Sequence, residues 1–211
     1  LKTYKLSPTD LNIFLEEPSL FLQNVIFKYP FVDNEYTIFW KIYHRILELA
    51  SIKKVNKEEV KLEYFIQTFK YLLDKELLTW DEYERLLKKG IESLTWYFEI
   101  FNNNSREILK CEYNFRWRNV VFEWIPITWK IDKIEKLNFS QNTWEFKNTL
   151  FSEDVALIDF KTWSIKSENN IKGIDRYWNK KQDLKEGKYY RQLLFYKLLA
   201  ENDKDFYSKY N

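Results

Sequence analysis

The hydrophobic pattern of this chain changes midway, and that change constrains the fold more than any other feature. In the first half, apolar residues recur at helical spacing, as in Phe39, Ile42 and Ile46. After Asn102-Asn103-Asn104-Ser105, a predicted turn, short segments alternate and are rich in β-branched and aromatic residues, which is typical of strands. The segment from Tyr189 to Asn202 is again predicted to be a helix. Helices, then a sheet, then a helix predict a mixed α/β architecture.

Capping residues and breaks refine the helices in the first half. Ser7 is a predicted N-cap, with Pro8 at the first helical position. Gly90 is predicted to interrupt a long charged helical stretch. The predicted segments are a helix beginning at Pro8, a short helix from Pro18 to Ile26, a loop from Tyr29 to Tyr36, a helix from about Thr37 to Ala50, and the charged stretch from Lys57 to Phe101.

The second half contains the predicted sheet, which is expected to be rich in antiparallel pairs. A polar, lysine-rich loop from Lys166 to Gly187 is predicted before the last helix. The lysines from Lys180 to Lys188 are candidates for phosphate contacts, but a solvated loop explains them as well. The predicted strands are Ile108–Phe115, Asn119–Ile127, Lys130–Leu137, Thr143–Lys147 and Val155–Phe160.

Length and composition limit the classes of protein. The 211 residues fit one domain, and a net charge of +2 means that nucleic-acid contacts require local clusters of Lys and Arg. A single cysteine, Cys111, excludes an internal disulfide framework. We find no membrane-spanning stretch and no signal-peptide pattern, so an intracellular protein is expected. The sequence begins at Leu1 and contains no Met, which suggests a fragment of a longer polypeptide.

Two carboxylates stand where apolar, strand-like segments turn polar. Asp132 follows Ile127-Thr128-Trp129-Lys130-Ile131, and Asp159 follows Ala156-Leu157-Ile158. Carboxylate oxygens are hard ligands suited to Mg²⁺. Lys161 lies two residues after Asp159, so both side chains share one face of a strand. The pattern predicts a divalent-metal site for phosphodiester hydrolysis, in which Lys161 orients or deprotonates the attacking water.

Five short motifs occur in order along nearly the whole chain: Leu6-Ser7-Pro8-Thr9-Asp10-Leu11, Tyr43-His44-Arg45-Ile46-Leu47-Glu48, Ile127-Thr128-Trp129-Lys130-Ile131-Asp132, Ile158-Asp159-Phe160-Lys161-Thr162 and Arg191-Gln192-Leu193-Leu194-Phe195-Tyr196. Together they resemble the motifs of the RecB-type nucleases of the PD-(D/E)xK superfamily. They most closely resemble the nuclease domains fused to UvrD/Rep-like superfamily 1 helicases.

The resemblance implies a fold. It implies a restriction-endonuclease-like core, with a central mixed β-sheet flanked by helices and an N-terminal helical region. Residues 1–211 would form a single nuclease domain, with the helical part at about 1–101 and the catalytic sheet and closing helix at about 106–202.

The resemblance also implies roles for individual residues. Asp132 and Asp159 would bind the catalytic Mg²⁺ or Mn²⁺, together with His44 and the backbone carbonyl of Phe160. Lys161 would position the nucleophilic water. On the last helix, Gln192 and Tyr196 would border the site and contact substrate or the catalytic lysine, and the adjacent Arg191 would contact substrate.

The expected partners follow from the same resemblance. The substrate would be DNA, as single strands or unwound ends delivered by a superfamily 1 helicase domain in the same or an associated chain. The expected setting is DNA repair and recombination, in the cytoplasm at the nucleoid and not at a membrane. Related proteins with an iron–sulfur cluster need four cysteines, but Glu17-Pro18 stands here where Cys-Pro is expected, so no cluster is predicted.

Several tryptophans stand where the related motifs have glycine, namely Trp40, Trp129 and Trp163. The chain has 9 Trp and only 3 Gly, the reverse of ordinary usage. We hypothesise that the source organism reads UGA as glycine, so that these positions are glycine in the natural polypeptide. The alternative is an aromatic-rich lineage with divergent motifs.

Each candidate residue also has a plainer explanation. Asp159 and Lys161 are compatible with a surface ion pair, and a single His on an apolar helix face is often a hydrogen-bonded core residue. Gln192 and Tyr196 are ordinary residues for a helix. Two alternative functions therefore stay open: a catalytically inactive DNA-binding or structural module of the same fold, and a free-standing exonuclease.

Overall fold

The N-terminal segment folds into short helices that are set by their capping residues. The computed structural model describes residues 3–30, 32–104, 106–137, 155–160 and 187–210. Helix α1 spans Pro8–Glu16, and the Asp10 N–H donates to Ser7 Oγ at 3.1 Å, so the predicted N-cap is confirmed. Helix α2, Pro18–Phe21, continues into a π-helical turn, Leu22–Ile26.

Three longer helices form the first core. They are α3, Glu35–Val55, α4, Leu62–Leu73, and α5, Trp80–Asn103. Helix α3 begins two residues before the predicted start because the Asn34 side chain accepts from the Thr37 N–H at 3.0 Å. No helix in the described part of the chain is both long and apolar enough to cross a membrane.

The predicted break at Gly90 is wrong. Gly90 lies inside α5, and it is buried. A Cβ atom at this position would lie 2.2 Å from two ring carbons of Phe69 on α4. Glycine is therefore explained by the close approach of α4 to α5, and not by the end of a helix.

A small antiparallel sheet forms the centre of the second half. Its order is β1–β4–β5, where β1 is Ile108–Asn114, β4 is Lys130–Lys136 and β5 is Val155–Ile158. Both strand pairs are antiparallel. A mixed sheet also requires parallel pairing, and in the described residues this is limited to one isolated bridge, between Leu6 and Ile127. The coarse prediction of a mixed α/β fold is confirmed.

The strand predicted over residues 119–127 is divided in two. The structure has a hairpin of β2, Val121–Phe122, and β3, Ile125–Pro126. Glu123 has a φ of 56°, a left-handed conformation that reverses the chain at this point. The predicted strand at 143–147 and most of the predicted loop at 166–187 lie outside the described residues.

Helices pack on both faces of the sheet. Helix α6 is Lys188–Asn202, as predicted within one residue, and it is followed by α7, Lys204–Tyr210, which the sequence pattern did not predict. Phe160 packs into the core made by α3, α4 and α5. Ile131 and Ile134 of β4 pack with Phe195 and Tyr196 of α6 in a second core. The sheet therefore brings residues of α3 and of α6 to β4 and β5.

Candidate functional site

Helix α3 presents His44 towards the sheet. The neighbouring side chains Ile42, Tyr43, Ile46 and Leu47 are buried, and this apolar face fixes the direction of the helix. His44 Nε2 lies 3.0 Å from the carbonyl oxygen of Phe160 and 3.6 Å from Asp132 Oδ2. Its side chain is only 13% exposed. The structure thus brings together three residues that are far apart in sequence and that the motifs assign to the metal.

Asp132 is a buried carboxylate on β4. The N–H of Phe160 donates to its Oδ2 at 2.7 Å. The pKa of Asp132 is raised to about 6, mainly by burial and to a lesser extent by the carboxylates of Asp159 and Glu112, while His44 and the Phe160 N–H act in the opposite direction. A buried acid with a raised pKa binds a proton more tightly than usual, and a cation can replace that proton.

Asp159 follows β5 and contacts helix α6. Its Oδ1 accepts from Tyr196 OH at 2.5 Å and from Gln192 Nε2 at 3.0 Å. Gln192 and Tyr196 are four residues apart on α6, and Gln192 Nε2 also lies 2.7 Å from the Tyr196 hydroxyl. Burial and the charge of Asp159 raise the pKa of Tyr196, so the hydroxyl stays protonated and donates.

Arg191 and Lys161 are the two remaining predicted site residues. Arg191 Nε donates to Asn12 Oδ1 at 2.6 Å, and its guanidinium lies 3.4 Å from Glu16, so it joins α6 to α1. Its substrate-binding role stays a prediction. Lys161 lies outside the described residues. Its role in orienting water therefore rests on the sequence motif alone.

Glu112 is a site residue that the motifs did not identify. It lies on β1 between Cys111, which pairs with Lys133, and Tyr113, which pairs with Ile131, so it stands opposite Asp132. One ligand atom from each of Glu112, Asp132 and His44 lies within 4.8 Å of the others, and no further group of this kind occurs in the described residues. The only sequence signal was a charged residue inside a predicted strand, and the sequence did not show which residue of the neighbouring strand it would face.

The backbone of β1 is irregular at this carboxylate. Glu112 has a φ of 53°, a left-handed conformation that costs a non-glycine residue roughly 1–2 kcal/mol. Cys111 packs against the core of α3, α4 and α5, whereas Tyr113 packs in the second core. Residues i and i+2 of a regular strand share one face, so the conformation of Glu112 breaks this alternation at the site.

A buried ion pair packs beneath Phe160. Lys133 Nζ lies 2.6 Å from Glu135 Oε1, and both side chains are almost fully buried. The Asn104 side chain donates to the same oxygen at 2.8 Å, and the Lys133 ammonium lies 5.5 Å from the centre of the Phe160 ring. The Lys133 ammonium thus lies next to the ring of Phe160, whose carbonyl and N–H contact His44 and Asp132.

The tryptophans at predicted glycine positions contact the site. The Trp40 and His44 rings are 4.6 Å apart between centres, and Trp129 Nε1 donates to the Tyr196 hydroxyl at 2.9 Å. None of the described tryptophans is buried, and Trp117 and Trp124 are 84% and 79% exposed. Trp163 lies outside the described residues.

Replacing Trp40 and Trp129 together by glycine is expected to raise the rate of the DNA cleavage that the motif resemblance implies. The change removes a ring from the face of His44 and a competing donor from Tyr196. A gain of about tenfold, equivalent to a barrier lower by about 1.4 kcal/mol, is a reasonable expectation. Single-turnover cleavage measures it, with Trp117→Gly as the control. An unchanged or lower rate, or UGG codons at positions 40, 129 and 163, would contradict the glycine hypothesis.

Comparisons with models of protein families, with curated proteins and with solved structures find no match to this chain.

Proposed function

We propose that this chain is a metal-dependent DNA nuclease domain with a RecB-type PD-(D/E)xK core. The observation that supports the proposal is the convergence of residues that the motifs singled out. His44 and Asp132 contact Phe160, and the neighbouring Asp159 accepts hydrogen bonds from Gln192 and Tyr196. If Asp159 only formed a surface ion pair, or if His44 were only a core residue, these side chains would not need to lie close together.

The donor set fits a divalent cation. His44 supplies an imidazole nitrogen, and Asp132 supplies a buried carboxylate beside the Phe160 carbonyl. A divalent cation, Mg²⁺ or Mn²⁺, would supply positive charge that polarises a phosphate and favours the ionisation of water.

The protein's own groups orient the site. Tyr196 and Gln192 donate to one oxygen of Asp159 and so fix the direction of its carboxylate. The Phe160 N–H does the same for Asp132. Lys161, two residues beyond Asp159, is proposed to hold the attacking water and to stabilise charge on the phosphate. Preorganised groups of this kind lower a barrier because they need not reorient during the reaction.

The cellular role is a proposal that rests on the motif resemblance. We infer that the substrate is DNA with single-stranded or unwound ends, supplied by a superfamily 1 helicase in the same or an associated chain. Repair and recombination at the nucleoid would be the setting. Helicase motor motifs upstream of Leu1 in the gene would support the fused arrangement, and their absence would favour a free-standing exonuclease.

An inactive module of the same fold is the second candidate, and one observation favours it. The Trp40 ring covers part of His44, and the Trp129 indole contacts Tyr196. If both tryptophans are native, they crowd two site residues. Incubating end-labelled single-stranded DNA with the protein and Mg²⁺ or Mn²⁺, and with EDTA as the control, separates the two candidates.

Replacing Asp159 or Lys161 by alanine is expected to abolish cleavage while preserving the fold and DNA binding. Either change removes a charged group that would act on the metal, the water or the phosphate. Loss of one such group commonly lowers the rate by about 10²–10³-fold. The rate is measured as cleavage of labelled single strands by the protein with glycine at positions 40, 129 and 163. Circular dichroism checks the fold, and a DNA-binding assay checks DNA binding.

The matched controls are Glu59→Ala and Lys61→Ala. Both side chains are exposed, 78% and 68% respectively, and they pair with each other before α4. They remove the same kinds of charge at exposed positions outside the five motifs, so cleavage should stay at the parental rate. If Asp159→Ala or Lys161→Ala also cleaved at that rate, the assignment of roles would be wrong.

A further inference from the structure

We propose that Glu112 is a protein ligand of the divalent cation, and that His44, Asp132 and Glu112 favour Mn²⁺ over Mg²⁺. This inference rests on the proposed metal-dependent function, and it names a ligand outside the motifs and the preferred cation. Its basis is the one group in the described residues whose imidazole and carboxylate atoms all lie within 4.8 Å of one another.

The pairing of the strands places two carboxylates opposite each other. Glu112 on β1 and Asp132 on β4 are cross-strand neighbours, as the pairs on either side of them establish. Like charges directly opposite each other destabilise a sheet, and here both side chains are mostly buried, with 17% and 6% exposure. A cation bound between the carboxylates would attract both of them and so offset their mutual repulsion.

The three ligands come from three elements that pack independently of any ion. His44 is on α3, which contacts both β1 and β4. The left-handed conformation of Glu112 changes which face of β1 its neighbours occupy, and its carboxylate lies on the side of His44. The site is therefore preformed by helix–sheet packing, and a cation does not have to assemble it.

The chemistry of the donors decides between cations. Mg²⁺ prefers oxygen ligands in near-octahedral geometry and usually retains several waters. An imidazole nitrogen together with carboxylates suits a first-row transition metal, and Mn²⁺ accepts both kinds of donor. His44 with the carboxylates of Asp132 and Glu112 thus favours Mn²⁺. A site made of the Asp132 and Asp159 carboxylates, without His44 and Glu112, would favour Mg²⁺.

Lys130 provides the means to test the role of Glu112. Its ammonium is ion-paired with the Glu112 carboxylate, and its side chain is 45% exposed. If Glu112 serves only this ion pair, removing either partner should have the same effect on the protein. If Glu112 is a ligand, Lys130 competes with the cation, and removing it should have the opposite effect to removing the carboxylate.

Calorimetric titration with Mn²⁺ and with Mg²⁺, without DNA, measures the affinities. The parental chain is expected to bind Mn²⁺ more tightly than Mg²⁺ by about tenfold or more. Glu112→Gln should weaken Mn²⁺ binding by at least about tenfold and Glu112→Asp by less, because the shorter side chain keeps the charge. Lys130→Met should tighten Mn²⁺ binding, because it removes the cation that competes for Glu112. The Mn²⁺ electron paramagnetic resonance spectrum should change in Glu112→Gln alone.

The controls separate this inference from the proposed function. Glu59→Gln removes an exposed acid and should bind Mn²⁺ like the parental chain. Parental affinity in Glu112→Gln, or equal losses in Glu112→Gln and Lys130→Met, would overturn the ligand role whatever the cleavage assay gives. A parental chain that binds no Mn²⁺ would overturn it as well. Tight Mn²⁺ binding without cleavage would instead overturn the nuclease proposal and leave Glu112 as a ligand.

Discussion

Replacing Asp132 by asparagine is expected to abolish DNA cleavage and, at the same time, to stabilise the metal-free protein above pH 7. Asparagine has nearly the same shape, and its amide oxygen can still accept from the Phe160 N–H, which is 2.7 Å from the carboxylate. It cannot replace a carboxylate as a ligand for a hard cation. The cleavage rate should fall by at least about 10²-fold.

The gain in stability follows from the direction of the pKa shift. Burial, together with the nearby carboxylates of Asp159 and Glu112, raises the pKa of Asp132 from 3.8 to about 6 in the folded chain, although His44 opposes the shift. Between pH 4 and 6 the folded chain binds more protons than the unfolded chain, so the free energy of unfolding falls as the pH rises. Above pH 6 the ionised Asp132 costs on the order of 2–3 kcal/mol, and asparagine avoids this cost.

Urea unfolding in EDTA at pH 4 and pH 8 measures this effect. Asp132→Asn should exceed the parental chain by about 2–3 kcal/mol at pH 8, and the difference should largely vanish at pH 4. Glu59→Gln, at an exposed acid, should show no such pH-dependent difference. A variant that is less stable than the parental chain at pH 8 would show that the ionised carboxylate stabilises the metal-free fold, contrary to this account.

Replacing Gly90 by alanine is expected to destabilise the fold, although alanine is the better helix former. The helix propensity of alanine favours it over glycine by about 1 kcal/mol. Its Cβ, however, would lie 2.2 Å from two ring carbons of Phe69 and 2.8 Å from a third. Phe69 is fully buried and packs edge-on against Phe39, so its ring has no free space to enter. Overpacking of a core typically costs about 1–3 kcal/mol, and more in tight contacts.

We expect the overpacking to prevail, with a net loss of about 2 kcal/mol. In a chain of this size, the melting temperature should then fall by roughly 4–8 °C. Glu84→Ala, an exposed position on the same helix, is the control and should be nearly neutral. Phe69→Leu in the Gly90→Ala background should restore part of the loss, since it vacates the space. A more stable Gly90→Ala protein would show that α4 and α5 are not in close contact here.

The sequence predicted the local elements well where one strong signal acts within a few residues. Ser7 and Pro8 specified the start of α1, and the bounds of β1 and β4 agree with the predicted strands to within one residue. Signals from isolated residues were less reliable. Gly90 resembles a helix break in the sequence, yet it is a contact point between two helices, because the absence of a side chain serves either purpose.

Part of the candidate site was also predictable. His44, Asp132 and Asp159 were identified from motif order, and the structure places His44 beside Asp132 and Asp159 beside α6. Glu112 was not identified because its significance depends on which residue of β4 it faces. That pairing is a property of strand register, which no spacing within β1 reveals.

The sequence by itself determined the fold class, the order of helices and strands, and the positions at which acids end apolar segments. These follow from periodicity and capping, which act between residues close in the chain. Only the tertiary structure decided that Glu112 stands opposite Asp132, that α4 approaches Gly90, and that the helices of both halves meet at Phe160 and Asp159. Such contacts depend on how the elements pack against one another, and packing is a property of the whole chain.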